Sequence, residues 1–198
     1  MWNDRFATEA FVFGTEPSQF LVAQRAYLEP GMTALAVADG EGRNSVYMAQ
    51  CGLTVTAMEA APNAIAKARA LAADRGVTVE FIEADIFDWD WGATEFDLVA
   101  GIFIQFMGAE ARAGVFDGMK RAVKPGGLIM IHGYTPKQLD YAKGGPKQVE
   151  NLYTEALLAE AFDGWEVLRL ASYDMELDEG AGHAGMSALI DLIARKPG

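Results

Sequence analysis

The stretch Thr33-Ala-Leu-Ala-Val-Ala-Asp-Gly-Glu-Gly-Arg-Asn-Ser-Val-Tyr-Met-Ala49 decides the reading of this chain. An apolar run breaks into a glycine-containing turn and restarts at helical spacing, which predicts strand, turn and helix in succession. Leu35 and Val37 suit a buried strand, and Val46 and Ala49 begin a helical stripe. Gly40 and Gly42 permit a backbone geometry and a close approach that a Cβ would block. A helix that starts beside such a turn offers free N–H groups to a polar ligand. A tight strand-to-helix connection that binds nothing has the same local sequence, so the rest of the chain has to separate the two readings.

Working outward, Thr15-Glu-Pro-Ser-Gln-Phe20 supplies a capping residue and a first-turn proline, and Phe20, Ala23 and Tyr27 repeat at helical spacing up to Pro30-Gly31. Trp2, Phe6, Phe11 and Phe13 are too aromatic for a free tail; they predict an arm that packs on the domain, either over a pocket or as a patch on the core. Downstream, the pattern predicts a strand over 53–58 ending at Glu59, a helix from Pro62 stopped by Gly76, and a strand over 77–82. An irregular segment over 83–91 leads to an apolar strand over 96–104 and a helix over 109–123. Lys124-Pro-Gly-Gly127 then reads as a turn into a strand over 128–132. A long connection over 133–152 and a helix over 154–162 precede strands over 165–170 and 186–194. Those two lack a helix-sized crossover, and 178–182 reads as a turn, so they pair antiparallel. The fold class is α/β, a doubly wound, mostly parallel sheet with an antiparallel C-terminal strand pair. We expect one domain over 1–198, with 1–30 as an N-terminal arm and helix.

Lys and Arg number 16 against 28 Asp and Glu, and a net charge of −12 repels phosphate backbones, which argues against nucleic acid as a partner. No basic leader and no apolar run of membrane-spanning length is present, so the expectation is a soluble, cytoplasmic protein without a membrane partner. Cys51, the only cysteine, excludes an intrachain disulfide and a multi-cysteine metal site. No metal is expected: H-E-x-x-H and paired C-x-x-C are absent, and Trp89 and Trp91 between Asp85, Asp88 and Asp90 suit a folded loop better than a calcium site.

Ligands of doubly wound sheets sit beyond the carboxyl ends of the strands, where the Gly40/Gly42 turn, Glu59, Asp85 and the segment from Gly101 to Phe106 are expected. Glu59 follows the first glycine by about 20 residues, the offset at which a carboxylate accepts hydrogen bonds from ribose hydroxyls. An adenosine-containing ligand follows. The chain resembles class I S-adenosylmethionine-dependent methyltransferases, and within them the small tellurite-resistance (TehB-like) and thiopurine methyltransferase-like group. The resemblance rests on Asp39-Gly-Glu-Gly-Arg-Asn-Ser45, Val55-Thr-Ala-Met-Glu59 with Ala60 and Pro62, Ala84-Asp85, Phe96-Asp-Leu-Val99 and Lys124-Pro-Gly-Gly-Leu128.

The resemblance implies S-adenosylmethionine as cofactor and a small-molecule methyl acceptor. It implies cofactor contacts from Ala38, Asp39, Gly40, Gly42 and Asn44 on the methionine part, and from Glu59 and Ala60 at the ribose. Ala84, Asp85 and Ile86 would border the adenine, and Gly101, Ile102 and Phe103 the sulfonium. For Asp85, a turn-capping role is the alternative. Phe13, Gln105, Phe106 and Tyr134 are candidates for the acceptor pocket. His132 and Tyr134, at the end of the fifth strand, are the candidates for orienting an acceptor, although His132 also reads as a satisfied core histidine. The family's usual acidic residue before the first glycine is missing: Ala36 and Ala38 stand there, and Asp39 is the carboxylate nearest to hand. Methyl transfer needs alignment and exclusion of water more than a base, so a missing triad does not count against it. Two other readings stay open, a noncatalytic cofactor-binding domain and a nicotinamide-dependent oxidoreductase, for which Ser45 replaces the third small residue of the turn.

Overall fold

Leu35 and Val37 lie in β1 (Thr33–Val37), of whose five residues four are buried. The helix after the turn is α3 (Arg43–Gln50), following α1 (Trp2–Arg5) and α2 (Gln19–Ala23) of the arm. The computed structural model describes residues 2–141, 144–180 and 183–198. These fall into two compact units, one running to Trp89 and including Glu179 to His183, the other holding Asp90–Asp178 and Ala184–Gly198.

In the first unit, β1 pairs in parallel with β2 (Thr54–Glu59), which pairs in parallel with β3 (Glu80–Glu83). Between them, α4 (Pro62–Asp74) starts at its proline and buries Ala64, Ile65, Ala68, Leu71 and Ala72. Two expectations are corrected here. The strand expected over 77–82 is shorter and later, because Val77 and Val79 pack against Val46, Leu71 and Ala72 instead of joining the ladder. The helix expected from Thr15 and Pro17 begins only at Gln19, since Ser18 is its cap and accepts the Leu21 N–H at 3.3 Å. It then breaks at Gln24 into a single 3₁₀ turn, Arg25–Tyr27.

In the second unit, β4 (Phe96–Ile102) buries five of its seven residues, as a strand covered on both faces should. After α5 (Ala109–Ala122), β5 (Val123–Tyr134) runs parallel to β4. Lys124 to Gly127, expected as a turn before the strand, lies within it. The register shifts between Phe96 and Leu98, Gly126 takes φ +75°, and its N–H bonds to the Lys196 carbonyl at 3.0 Å. The connection beyond Tyr134 carries α6 (Gln138–Tyr141) and a 3₁₀ turn, Val149–Asn151. Then α7 (Glu155–Ala161) precedes β6 (Glu166–Asp178) and β7 (Ala184–Arg195), which are antiparallel as expected but longer than their apolar cores. Of the turn expected over 178–182, Ala181 and Gly182 lie outside the described residues.

The strand order of the seven-stranded sheet is β3-β2-β1-β4-β5-β7-β6, the doubly wound α/β arrangement with an antiparallel final pair. Among the described residues no helix is long and apolar enough to cross a membrane, and no group of three or more His, Cys, Asp or Glu is placed to hold a metal ion.

Candidate functional site

The glycine turn departs from regular backbone where the sequence places its glycines. Gly40 has φ +66° and Gly42 φ +90°. A Cβ on Gly42 would lie 2.6 Å from the Ala68 Cβ, so this glycine also lets α3 start against α4. Ala38 holds φ +48° without being glycine, and at the end of β4 Phe103 holds φ +58°. Such left-handed residues cluster at functional sites, at a cost of about 1–3 kcal/mol each. Nothing in the local sequence announces either.

Three carboxylates of the first unit stand at strand ends. Glu59 accepts the Gly40 N–H at 2.9 Å through one oxygen and the Ala61 N–H at 2.9 Å through the other, bridging the turn to the start of α4. Asp39 is half-buried and accepts the Ser45 hydroxyl at 2.5 Å and the Ser45 N–H at 3.2 Å. Burial nevertheless lifts its carboxyl from 3.8 to about 6, against the pull of those hydrogen bonds. Asp85 accepts the Phe87 N–H at 3.0 Å, the turn-capping geometry, and Ile86 beside it is buried. Ala84 follows β3 and donates its N–H to the Glu59 carbonyl at 3.0 Å, while Ala60 is exposed between Glu59 and Ala61.

The other side chains of the turn hold the arm. Buried Glu41 accepts the Val12 N–H at 2.8 and 3.1 Å and the Phe13 N–H at 3.2 Å, and pairs with Lys67 at 2.8 Å. Arg43 reaches the Glu16 carbonyl at 3.5 Å and pairs with Glu179 at 2.8 Å. Asn44, expected at the cofactor, accepts the Ser18 N–H at 2.9 Å through its side-chain oxygen. Phe6 is buried against Ala61 and Ala64, and its ring edge lies 3.9 Å from where a Gly40 Cβ would be. Phe13 packs tilted against His183 at 4.5 Å between ring centroids. The arm therefore packs on the turn as well as on the core. Glu41 was missed by sequence reasoning because the middle residue of a Gly-x-Gly carries no local signal.

In the second unit, Gly101 and Ile102 end β4, and Phe103 packs its ring edge-on to His132 at 4.7 Å and tilted to Tyr134 at 4.9 Å. His132 is 1% exposed and lies 2.8 Å from Asp191 through Nδ1, so it is a core histidine tied to β7. Asp191 also accepts from Arg169 at 2.7 Å and the Tyr173 hydroxyl at 3.0 Å. Gln105 is buried: it accepts the Tyr134 N–H at 2.6 Å and donates to the carbonyls of Tyr134 and Asn151 at 2.8 and 3.2 Å. Gly133 is what admits it, since a Cβ there would meet the Gln105 amide at 2.4 Å. Tyr134 is buried, whereas Phe106 is 39% exposed. Trp91 is buried against Gly118 of α5, so the segment carrying Asp88 and Asp90 is a folded loop.

Residues 34–127, from β1 through the β5 bulge, match the family described as "Methyltransferase domain". Across these residues the chain is similar to a methyltransferase domain. The chain is 35% identical over 94 residues to the 2-heptyl-1-hydroxyquinolin-4(1H)-one methyltransferase of Mycobacteroides abscessus, covering 46% of this chain and 41% of that protein. The chain spans about half the length, or less, of the curated relatives it matches. Its fold is similar to TehB of Haemophilus influenzae, with a TM-score of 0.72 at 20% identity, over 98% of this chain and 65% of that one. It is also similar to the N-methyltransferase NodS of Bradyrhizobium japonicum in complex with S-adenosyl-L-homocysteine, with a TM-score of 0.74 at 13% identity over 100% and 97% of the two chains. At such identities the structural likeness concerns the fold.

Proposed function

We propose that the chain is an S-adenosylmethionine-dependent methyltransferase that acts on a small-molecule acceptor by in-line transfer. The observation that carries the reading is Glu59, a carboxylate bridging the glycine turn and α4 at the end of β2, inside the matched domain. When bound, S-adenosylmethionine would supply an electrophilic methyl group on its sulfonium, and the protein would contribute alignment of the acceptor and exclusion of water.

The residues of the first unit fit that cofactor. Glu59 would receive the ribose hydroxyls, and Asp85 with Ala84 and Ile86 would border the adenine. Gly40, lacking a Cβ, would let the methionine part approach the turn, and Gly42 would hold the turn in place by its close contact with Ala68 of α4. Asp39, its carboxyl raised to about 6 by burial, gains most from a cation beside it, and the cofactor's ammonium is such a cation. This makes Asp39 the replacement for the acid absent at Ala36 and Ala38. In the second unit the resemblance assigns Gly101, Ile102 and Phe103 to the sulfonium side, and Phe106, Gln105 and Tyr134 to the acceptor side, with Phe13 of the arm. Gln105 and Tyr134 would act there by shaping a rigid wall, since their polar contacts are made within the protein. His132 would serve the same wall.

A net charge of −12 favours a small acceptor over a nucleic acid, and the quinolone methyltransferase among the relatives supports the same class. The buried free thiol of Cys51 fits a cytoplasmic setting. The test is turnover: the protein with S-adenosylmethionine and a panel of hydroxyl, amine and thiol acceptors should release S-adenosylhomocysteine with at least one of them. Cofactor binding with no product across the panel would favour the noncatalytic reading.

A further inference from the structure

We propose that Glu41 couples the glycine turn to the N-terminal arm, so that cofactor binding and closure of residues 10–18 over the turn are one linked event. The inference rests on the cofactor reading of the turn and adds to it a positioning residue and an order of events.

The contacts divide unequally between backbone and side chain. Every polar hold on residues 12–18 from the turn comes from three side chains within four positions: Glu41 on Val12 and Phe13, Arg43 on Glu16, and Asn44 on Ser18. These residues lie in the same short segment as Gly40 and Gly42, so a shift of the turn is transmitted directly to the arm backbone. Glu41 makes the strongest of the three links, since a buried carboxylate holding two N–H groups and the Lys67 ammonium forms charge-assisted hydrogen bonds. Phe6, earlier in the arm, brings its ring edge to 3.9 Å from where a Gly40 Cβ would be.

The outer part of the arm is the exposed part. No residue of α1 is buried, and Ala7, Thr8, Glu9 and Ala10 are exposed. Phe6, Phe11 and Phe13 anchor the arm on the unit's core, so Glu41 acts on a segment that is already seated. Once a ligand fixes the turn, Glu41 is fixed with it, and reclosing the arm excludes water from the turn. Linkage then requires reciprocity: the factor by which the cofactor stabilises the closed arm is the factor by which the closed arm tightens the cofactor.

Hydrogen exchange of the wild-type protein with and without S-adenosylhomocysteine tests this, read at the amides of Val12, Phe13 and Ser18 and paired with calorimetric affinity. We expect at least 10-fold slower exchange of these amides at saturation. In Glu41→Gln, which keeps the shape but not the charge, this added protection should vanish and the affinity should fall by a matching factor. Wild-type arm amides that exchange equally fast with the ligand bound would overturn the coupling while leaving the cofactor reading intact, and this result needs no variant. Equal affinity of wild type and Glu41→Gln would overturn it too. If the wild-type protein gives no binding heat, the cofactor reading itself fails and the coupling falls with it.

Discussion

Two buried carboxylates, one in each unit, each hold an arginine and lie beside a histidine, yet they stabilise different things. Glu179 pairs with Arg43 at 2.8 Å, accepts the Gln19 N–H at 2.7 Å and has His183 at 3.9 Å. Asp191 has His132 at 2.8 Å, Arg169 at 2.7 Å and Tyr173 at 3.0 Å. Asp191 lies in β7, directly opposite His132 of β5 and Ala171 of β6, where ladders already fix the chain. Glu179 joins the start of α2 to the start of α3, segments with no ladder between them. The same chemistry is redundant for position in one unit and decisive for it in the other. Removing Glu179 should loosen one segment; removing Asp191 should weaken the core without moving a site.

Variants can break this contrast. The largest expected effect is Asp191→Ala, which leaves Arg169 and Tyr173 without their acceptor and should lower unfolding stability by roughly 3–5 kcal/mol in urea titration, with arm exchange changed only through global unfolding. Selective loosening of residues 10–18 in that variant would refute the contrast. Next comes Glu179→Gln. Burial pushes Glu179 up, but His183, the Arg43 charge and the Gln19 N–H hold it at about 2, below its ordinary 4.5. A depressed acid stabilises the fold above pH 4.5 and loses that contribution as pH falls toward 2. Wild type should therefore exceed Glu179→Gln by roughly 2–3 kcal/mol at pH 7, and their stability curves should converge between pH 4.5 and 2.

The smallest effect has the opposite sign. Asp39, raised from 3.8 to about 6, penalises the fold fully above pH 6 and not below 3.8. Asp39→Asn should stabilise the free protein by roughly 1–2 kcal/mol at pH 7, a gain that disappears as pH falls through that window. The same change should weaken S-adenosylhomocysteine binding about tenfold, the loss of one charge-assisted contact. A variant neither more stable nor weaker in binding would remove Asp39 from the site.

What was legible in the sequence was local. Gly40 and Gly42 declare their own conformations, Pro62 marks its helix start, and the apolar run from Phe96 announces a strand covered on both faces. Glu59 was legible because a strand end and an offset define it. What was hidden depends on partners far along the chain. Glu41 meets Val12 and Phe13 across 29 and 28 positions, His132 finds Asp191 only through the β5–β7 register, and Gln105 fits only because Gly133 leaves space. Ser18 displaced Thr15 as the helix cap because the arm had already been tied to the turn at Glu16 and Ser18. The left-handed Ala38 and Phe103 contradict residue preference, so no reading of propensity finds them.

The central claim is that the glycine turn and Glu59 form a cofactor site, and calorimetric titration of wild type and Glu59→Ala with S-adenosylhomocysteine tests it most directly. The account predicts saturable one-to-one binding by wild type and a loss of about 1.5–3 kcal/mol in the variant, the scale of lost hydrogen bonds to a charged group. Well-folded wild type that gives no binding heat, or a Glu59→Ala variant that binds as tightly as wild type, would contradict it.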